Sequence, residues 1–204
     1  MAELTLTTFL TLDGVMQAPG GPSEDRSGNF PHGGWLFPHA DADMGKTMVE
    51  IFSKADAFLL GRYTYDIFSA HWPRITDTND LIAEKLNSLP KFVASHTQTR
   101  FSWNGSSHVG DVTKEVADLK KRFSREVQVH GSCGLAQTLI RNNLIDEYRF
   151  LTFPVILGTG KRLFGSGTMP ATLRLVNSST TSTGAIVSVY RNAGSLRTGS
   201  FTLD

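Results

Sequence analysis

The chain has 204 residues, 40% of them hydrophobic, enough to build the core of one ordinary domain. Its 20 Lys and Arg stand against 19 Asp and Glu, and a net charge of +1 gives no electrostatic footing for nucleic acid or an anionic membrane surface. Cys133 is the one cysteine, so an intrachain disulfide is excluded, and with no apolar run of the ~20 residues a membrane span needs and no signal-peptide pattern, a soluble cytoplasmic protein is expected.

In chain order, Leu4, Leu6, Leu10 and Leu12 alternate with Thr5, Thr7, Phe9 and Thr11, a period-two strand that runs into a turn at Asp13-Gly14. Residues 17–34 are aperiodic and rich in Gly, Pro, Ser and Asp. A loop that long is either a lid or binding loop or a surface excursion. Asp41 or Asp43 can cap a helix whose stripe is Met44, Thr47, Met48, Ile51, Phe52 and Ala55. Ala57–Leu60 reads as a short buried strand, closed by Gly61-Arg62-Tyr63-Thr64, which opens a second helix ending near His71-Trp72-Pro73. Asp80 starts a third helix, Pro90 stops it, and Lys91–Ser95 is a strand. Residues 102–110 read as loop, and Asp111 can cap a helix carrying Val112, Val116, Leu119 and Phe123 on one face.

Residues 125–140 carry the strongest local pattern. Val127 and Val129 alternate with Gln128 as a strand; Gly131, Ser132, Cys133 and Gly134 make a tight turn; Leu135, Leu139 and Ile140 recur at helical spacing. A strand that turns through glycine into a helix N-terminus presents unpaired backbone N–H groups and the positive end of a dipole, which suits a phosphate. Many such turns bind nothing, so the motif alone is short of decisive. Glu147–Phe153 is the next strand, Leu173–Asn177 and Ala185–Arg191 read as an antiparallel pair, and 192–204 as a tail following one domain over 1–191. Strands alternating with helices predict an α/β sheet, mainly parallel with antiparallel C-terminal strands, whose ligand lies at the carboxyl ends of the strands. Gly61, Ser95 and Gly131 each fall at such an end.

Other chemistries are weaker. The six histidines show no metal-binding spacing. Cys133 at a helix start invites a lowered pKa, but His130 lies across a tight turn, which favours a small buried or cofactor-contacting thiol. Gly-Ser-Cys-Gly is no nucleophile elbow, and Gly158-Thr159-Gly160-Lys161 lacks P-loop spacing.

In order and spacing, Leu-Thr-Leu-Asp-Gly (10–14), Ala-Asp-Ala-Phe-Leu-Leu-Gly-Arg-Tyr-Thr-Tyr (55–65), Lys-Phe-Val-Ala-Ser (91–95), His-Gly-Ser-Cys-Gly-Leu (130–135) and Leu-Ile-Asp-Glu-Tyr-Arg-Phe (144–150) together resemble the dihydrofolate reductase-like family. Pro-Val-Ile-Leu-Gly-Thr-Gly (154–160) and Leu-Phe (163–164), read as a strand, resemble the branch that holds the C-terminal reductase domain of the bifunctional riboflavin-biosynthesis enzyme. The resemblance implies a three-layer sandwich and an NADPH-dependent reductase. It implies that Gly61, Arg62, Tyr63 and Thr64 hold cofactor phosphate, that Ser95 and His96 lie near the adenosine ribose and its 2′-phosphate, and that Gly131, Ser132, Cys133, Gly134 and Leu135 cradle the pyrophosphate. Leu12, Asp13 and Gly14 would flank the nicotinamide, and Thr152 would lie beneath the substrate. Dihydrofolate reductases use a carboxylate on the first helix; Asp41 and Asp43 lie in about that place, yet both also suit plain first-turn helix residues. Trp35 can stack on a flat heterocycle or close the core, and Arg62 can be a phosphate ligand or an exposed helix-start cation. The expected substrate is a small pterin-like or pyrimidine-like heterocycle and the expected assembly a homodimer. Nucleotide binding without turnover, or a partner-binding domain, are the alternatives.

Overall fold

The computed structural model describes residues 1–201. Its strands are β1 (Glu3–Thr11), β2 (Ala55–Gly61), β3 (Lys91–Ala94), β4 (Ser106–Val109), β5 (Glu126–His130), β6 (Glu147–Phe153), β7 (Leu173–Thr180) and β8 (Ile186–Asn192). Its α-helices are α1 (Ala42–Ser53), α2 (Arg62–His71), α3 (Leu81–Ser88), α4 (Val112–Arg122) and α5 (Cys133–Arg141). The strands form one sheet in the order β4-β3-β2-β5-β1-β6-β8-β7. β4 through β6 of that order run parallel, β8 pairs antiparallel with β6, and β7 antiparallel with β8. This is the mainly parallel sheet with antiparallel C-terminal strands that the alternation of elements predicts.

Two local expectations are corrected. Ser106–Val109, read as loop, is β4, an edge strand in register with β3 from Lys91↔Ser106 to Ala94↔Val109. Its Ser, Ser and His give no strand pattern, and pairing to β3 supplies what propensity does not. Residues 163–164 are not a strand; the nearest ladder is the isolated bridge Val15↔Arg162. β8 runs one residue into the segment read as tail, and 202–204 lie outside the described residues.

One layer packs Met48, Ile51 and Phe52 of α1, Tyr65 of α2 and Leu86 of α3 against Phe58, Leu60, Val93, Leu151 and Phe153. The other packs Val116 and Leu119 of α4 and Leu135 and Leu139 of α5 against Leu4, Leu6, Leu59, Val127, Val129 and Phe150. The central strands are covered on both sides, so the threonines of β1 do not face water: Thr5, Thr7 and Thr8 are buried, and their hydroxyls have no partner among the described residues.

Beside that apolar layer the same face of the sheet carries a charge network, buried at Glu126, Arg149 and Glu147 and opening toward solvent at Arg191 and Glu3. Arg149 grips Glu126 with two bonds of 2.9 and 2.7 Å and meets Glu147 at 2.8 Å. Arg191 joins Glu147 at 3.0 Å to Glu3 at 2.9 and 2.8 Å. Gln128 donates to Glu126 and to the Ile51 carbonyl and accepts from His130, which lies stacked on Phe52 with ring centroids 4.3 Å apart. Burial alone would raise the Glu147 pKa, but its two guanidinium partners outweigh that and lower it.

Candidate functional site

The six parallel strands β4, β3, β2, β5, β1 and β6 end at one edge of the sheet, and most of the residues singled out in sequence follow five of them, β3, β2, β5, β1 and β6. Asp80 and Asp111 cap α3 and α4 through their carboxylates, as read from sequence, and of the two candidates for α1 Asp41 is the cap while Asp43 lies in the first turn. Helices α2 and α5 differ: their caps, Gly61 and Ser132, supply no side-chain bond to the first turn. Their leading N–H groups therefore remain open at neighbouring strand ends.

The two turns touch. The Gly61 N–H donates to Ser132 Oγ at 2.9 Å, and Ser132 Oγ–H donates to Thr64 Oγ1 at 2.6 Å. A Cβ on Gly61 would fall 2.7 Å from Ser132 Oγ, so glycine there is required by the neighbouring turn. Gly131 and Ser132 are both left-handed, with φ of +59° and +61°. Gly131 has its Cβ direction almost open, so its glycine serves conformation and close approach. Two uncapped N-termini are thus held side by side, one of them flanked by two left-handed residues, and both present unpaired backbone N–H groups of the kind that suit an anion.

The remaining sequence candidates are distributed around that pair. Arg62 is exposed and paired along the helix with Asp66; such a surface pair is worth little and leaves the guanidinium available. Tyr63 reaches out of α2 and bonds the Glu24 carbonyl. Ser95 follows Ala94, which is in register with Gly61, but its hydroxyl accepts from the amides of Thr97 and Gln98 and shapes its own turn; His96 is exposed. Cys133 touches the Arg162 carbonyl at 3.5 Å, and burial pushes its thiol pKa up, opposite to an activated nucleophile. His130 is sealed beneath Phe52 and cannot serve as its base.

At the β1 end, Leu12 is exposed while Asp13 anchors the 154–162 segment. Its carboxylate accepts from Thr11, from the amides of Leu157 and Gly158, and from Arg162, and is held well below the usual carboxylate range, the Thr11 hydroxyl contributing most. Gly14 makes the positive-φ turn of that anchor. Residues 17–34 are built in rather than loose. Gln17 bonds the carbonyls of Asp25 and Ser27 and the Lys161 amide, and Lys161 pairs with Asp25 at 2.6 Å. A Cβ on Gly160 would strike Val15 and Phe30. Gln17, Asp25, Lys161 and Arg162 escaped the sequence reading because each acts through a partner far along the chain. A cavity of about 270 Å³ opens between these two segments beside Gln17, Phe30 and Lys161. A larger one, about 410 Å³, lies near Ser69 and Trp103, past the far end of α2 and away from the glycine turns.

The substrate-side candidates are not brought together. Trp35 is 7% exposed, donates its indole N–H to the Gln17 carbonyl at 2.7 Å and packs edge-on against Phe153, so it closes the core. Thr152 precedes Phe153 on β6 and points to the opposite face. Asp41 and Asp43 lie at the same sheet edge, but each is occupied by the β7–β8 turn. Asp41 accepts from the Met44 amide at 2.7 Å and from the Thr183 amide and hydroxyl, each at 2.9 Å. Asp43 accepts from the Ser182 amide and hydroxyl. The Met44 amide foremost, then Thr183, lower the Asp41 pKa to about 2, and the Ser182 hydroxyl foremost lowers that of Asp43.

A family model described as the RibD C-terminal domain matches residues 2–187. An uncharacterized protein of Bacillus subtilis (strain 168), YyaP, is 30% identical over 191 residues, covering 92% of this chain and 94% of that protein. The crystal structure of a putative riboflavin biosynthesis protein from Shewanella sp. PV-4 superposes with a TM-score of 0.69 at 24% identity, covering 94% of this chain and 99% of that one. A pyrimidine reductase-like protein from Corynebacterium diphtheriae gives a TM-score of 0.62 at 13% identity, covering 94% and 92%. The diaminohydroxyphosphoribosylaminopyrimidine deaminase/5-amino-6-(5-phosphoribosylamino)uracil reductase of Thermotoga maritima gives 0.62 at 13%, covering 94% of this chain and 57% of that one.

Proposed function

The chain belongs to the RibD C-terminal domain family, and we propose that it is an NADPH-dependent reductase acting on a small pyrimidine-like or pterin-like heterocycle. The observation that carries this reading is the contact between two uncapped helix N-termini at adjacent strand ends, Gly61–Thr64 and Gly131–Leu135. Their free N–H groups would hold the pyrophosphate. Arg62, with Ser95 and His96 one strand further out, would meet the adenosine ribose and its 2′-phosphate. When bound, the dinucleotide supplies a hydride. The protein orients it and excludes water, with Leu12, Asp13 and Gly14 closing the nicotinamide side and Thr152 lying at the end of β6. One domain over 1–191 would carry this activity in the cytoplasm; among the described residues no helix is long and apolar enough to cross a membrane.

One observation favours binding without turnover as the alternative: Asp41 and Asp43, the first-helix carboxylates, are both occupied by the β7–β8 turn, which leaves the proton-donor role to an ordered water. NADPH oxidation across a panel of heterocycles separates the two readings.

The primary test is a thermal titration with NADPH and with NADH. A ligand that binds only the folded state stabilises by ~2.7 kcal/mol at a hundredfold excess over Kd. A rise with NADPH and little with NADH is expected, with the preference reduced in Arg62→Ala. No shift with either nucleotide overturns the reading.

A homodimer belongs to the same proposal. β7 is one edge of the sheet, and Leu175 and Val176 on it are 49% and 46% exposed, with Ile186 at the start of the neighbouring β8 46% exposed, apolar side chains that a second copy could cover. Light scattering should give about twice the 22.4 kDa chain mass; a monomer at every concentration rejects it.

A further inference from the structure

We propose that Ser132 is a positioning residue whose hydroxyl clasps the β2–α2 turn to the β5–α5 turn, fixing the spacing of the two helix N-termini and leaving the Thr64 O–H beside the Gly131 turn free to donate. The proposal rests on the cofactor reading above and changes one part of it, because Ser132 then acts through its neighbours rather than as a phosphate ligand.

Hydrogen-bond inventory makes the distinction. A serine hydroxyl has one donor, and that of Ser132 is given to Thr64 Oγ1 at 2.6 Å. Its oxygen accepts from the Gly61 amide at 2.9 Å. What remains is acceptor capacity, which an anion cannot use. Thr64, in contrast, accepts through its oxygen and makes no donation through its own O–H among the described residues. The three groups form a chain, amide to Ser132 to Thr64, in which each bond polarises the next and the last donor is left free.

The backbone supports the same role. Ser132 sits at φ +61°, ψ +73°, a left-handed conformation that glycine adopts freely and a residue with a Cβ does not. Gly61 has no room for a Cβ because the Ser132 hydroxymethyl occupies that space, with Oγ 2.7 Å and Cβ 3.0 Å from where it would stand. A glycine on one turn and a strained serine on the other therefore make one interlocking unit. Without the hydroxyl, the strain at 132 has nothing to offset it.

Ser132→Gly and Ser132→Ala test this, because a clasp and a merely structural serine move affinity and stability differently. Ser132→Gly relieves the left-handed backbone and removes the hydroxyl. Its melting midpoint should equal or exceed that of the unaltered protein, while the NADPH Kd, read by fluorescence titration, rises about tenfold, the size of one misaligned hydrogen bond to a charged group. Ser132→Ala keeps the strain, so its midpoint falls and its Kd rises by a similar factor. Hydrogen exchange of the free protein should show the Gly61 amide, deprived of its acceptor, losing protection in both variants. Unaltered protein that binds NADPH, with Ser132→Gly binding within twofold of it, overturns the clasp and leaves the cofactor reading standing. So does weakened binding with Gly61 protection unchanged. Unaltered protein that shows no NADPH binding overturns both.

Discussion

Replacing Arg149 with leucine is expected to destabilise the fold by about 3–5 kcal/mol, the range for removing one partner of a buried ion pair. Arg149 lies on β6 at 4% exposure between Glu126 of β5 and Glu147 of the same strand. Leucine would fill much of the volume, so the loss comes from electrostatics. Two carboxylates would stay under α1 with only Gln128 and Arg191 to meet them. Domains are stable by only ~5–15 kcal/mol in total, so the urea midpoint at neutral pH should fall sharply. Pairing the change with Glu126→Gln should restore part of the loss, because an uncompensated charge goes with its former partner. A single variant within about 1 kcal/mol of the unaltered protein would show that water reaches the network and screens it.

The second large effect is on acid stability and runs through His130. Burial, with the Arg149 charge adding to it, lowers its pKa from 6.5 to about 3. Below pH 6.5 the unfolded chain takes up a proton there that the folded chain refuses until about pH 3. Stability is therefore unaffected by His130 above pH 6.5 and declines as pH falls through that window, by roughly 3 kcal/mol at pH 4, at 1.36 kcal/mol per pH unit. Other depressed groups, among them Glu147, Asp13 and Asp41, lose stabilisation in the same direction as they protonate, so the unaltered protein alone is not diagnostic. The comparison with His130→Asn is. That variant lacks the stack on Phe52 and should start less stable at pH 7, but its stability should decline less steeply between pH 6.5 and 4. Parallel curves for the two proteins would mean that His130 titrates normally and that the Phe52–His130 stack opens readily.

Both effects come from the face of the sheet where sequence was least informative. Glu126 and Gln128 alternate with Val127 and Val129, and Glu147 and Arg149 alternate with Tyr148 and Phe150. In an isolated strand that pattern means one dry and one wet face. Here α1 crosses the polar face and closes it, and the charges survive burial only because β5, β1, β6 and β8 lie side by side and set them against one another. Neither strand order nor helix placement is written in any one segment.

The sequence by itself determined the features that depend on near neighbours. Gly61 and Gly131 mark strand-to-helix turns, Asp80 and Asp111 cap helices, as does one of Asp41 and Asp43, and the apolar stripes fix which helix faces are buried; each involves residues within a turn or two along the chain. Tertiary structure alone decided the rest. It made β4 from an unpromising Ser-Ser-His-Val by pairing it to β3, put Trp35 in the core, and tied Asp41 and Asp43 to a turn about 140 residues away. It also set Ser132 against Gly61 and Thr64. A carboxylate or hydroxyl has the same intrinsic chemistry wherever it stands, and which of its bonds is left for a ligand depends on the partners that distant strands deliver to it.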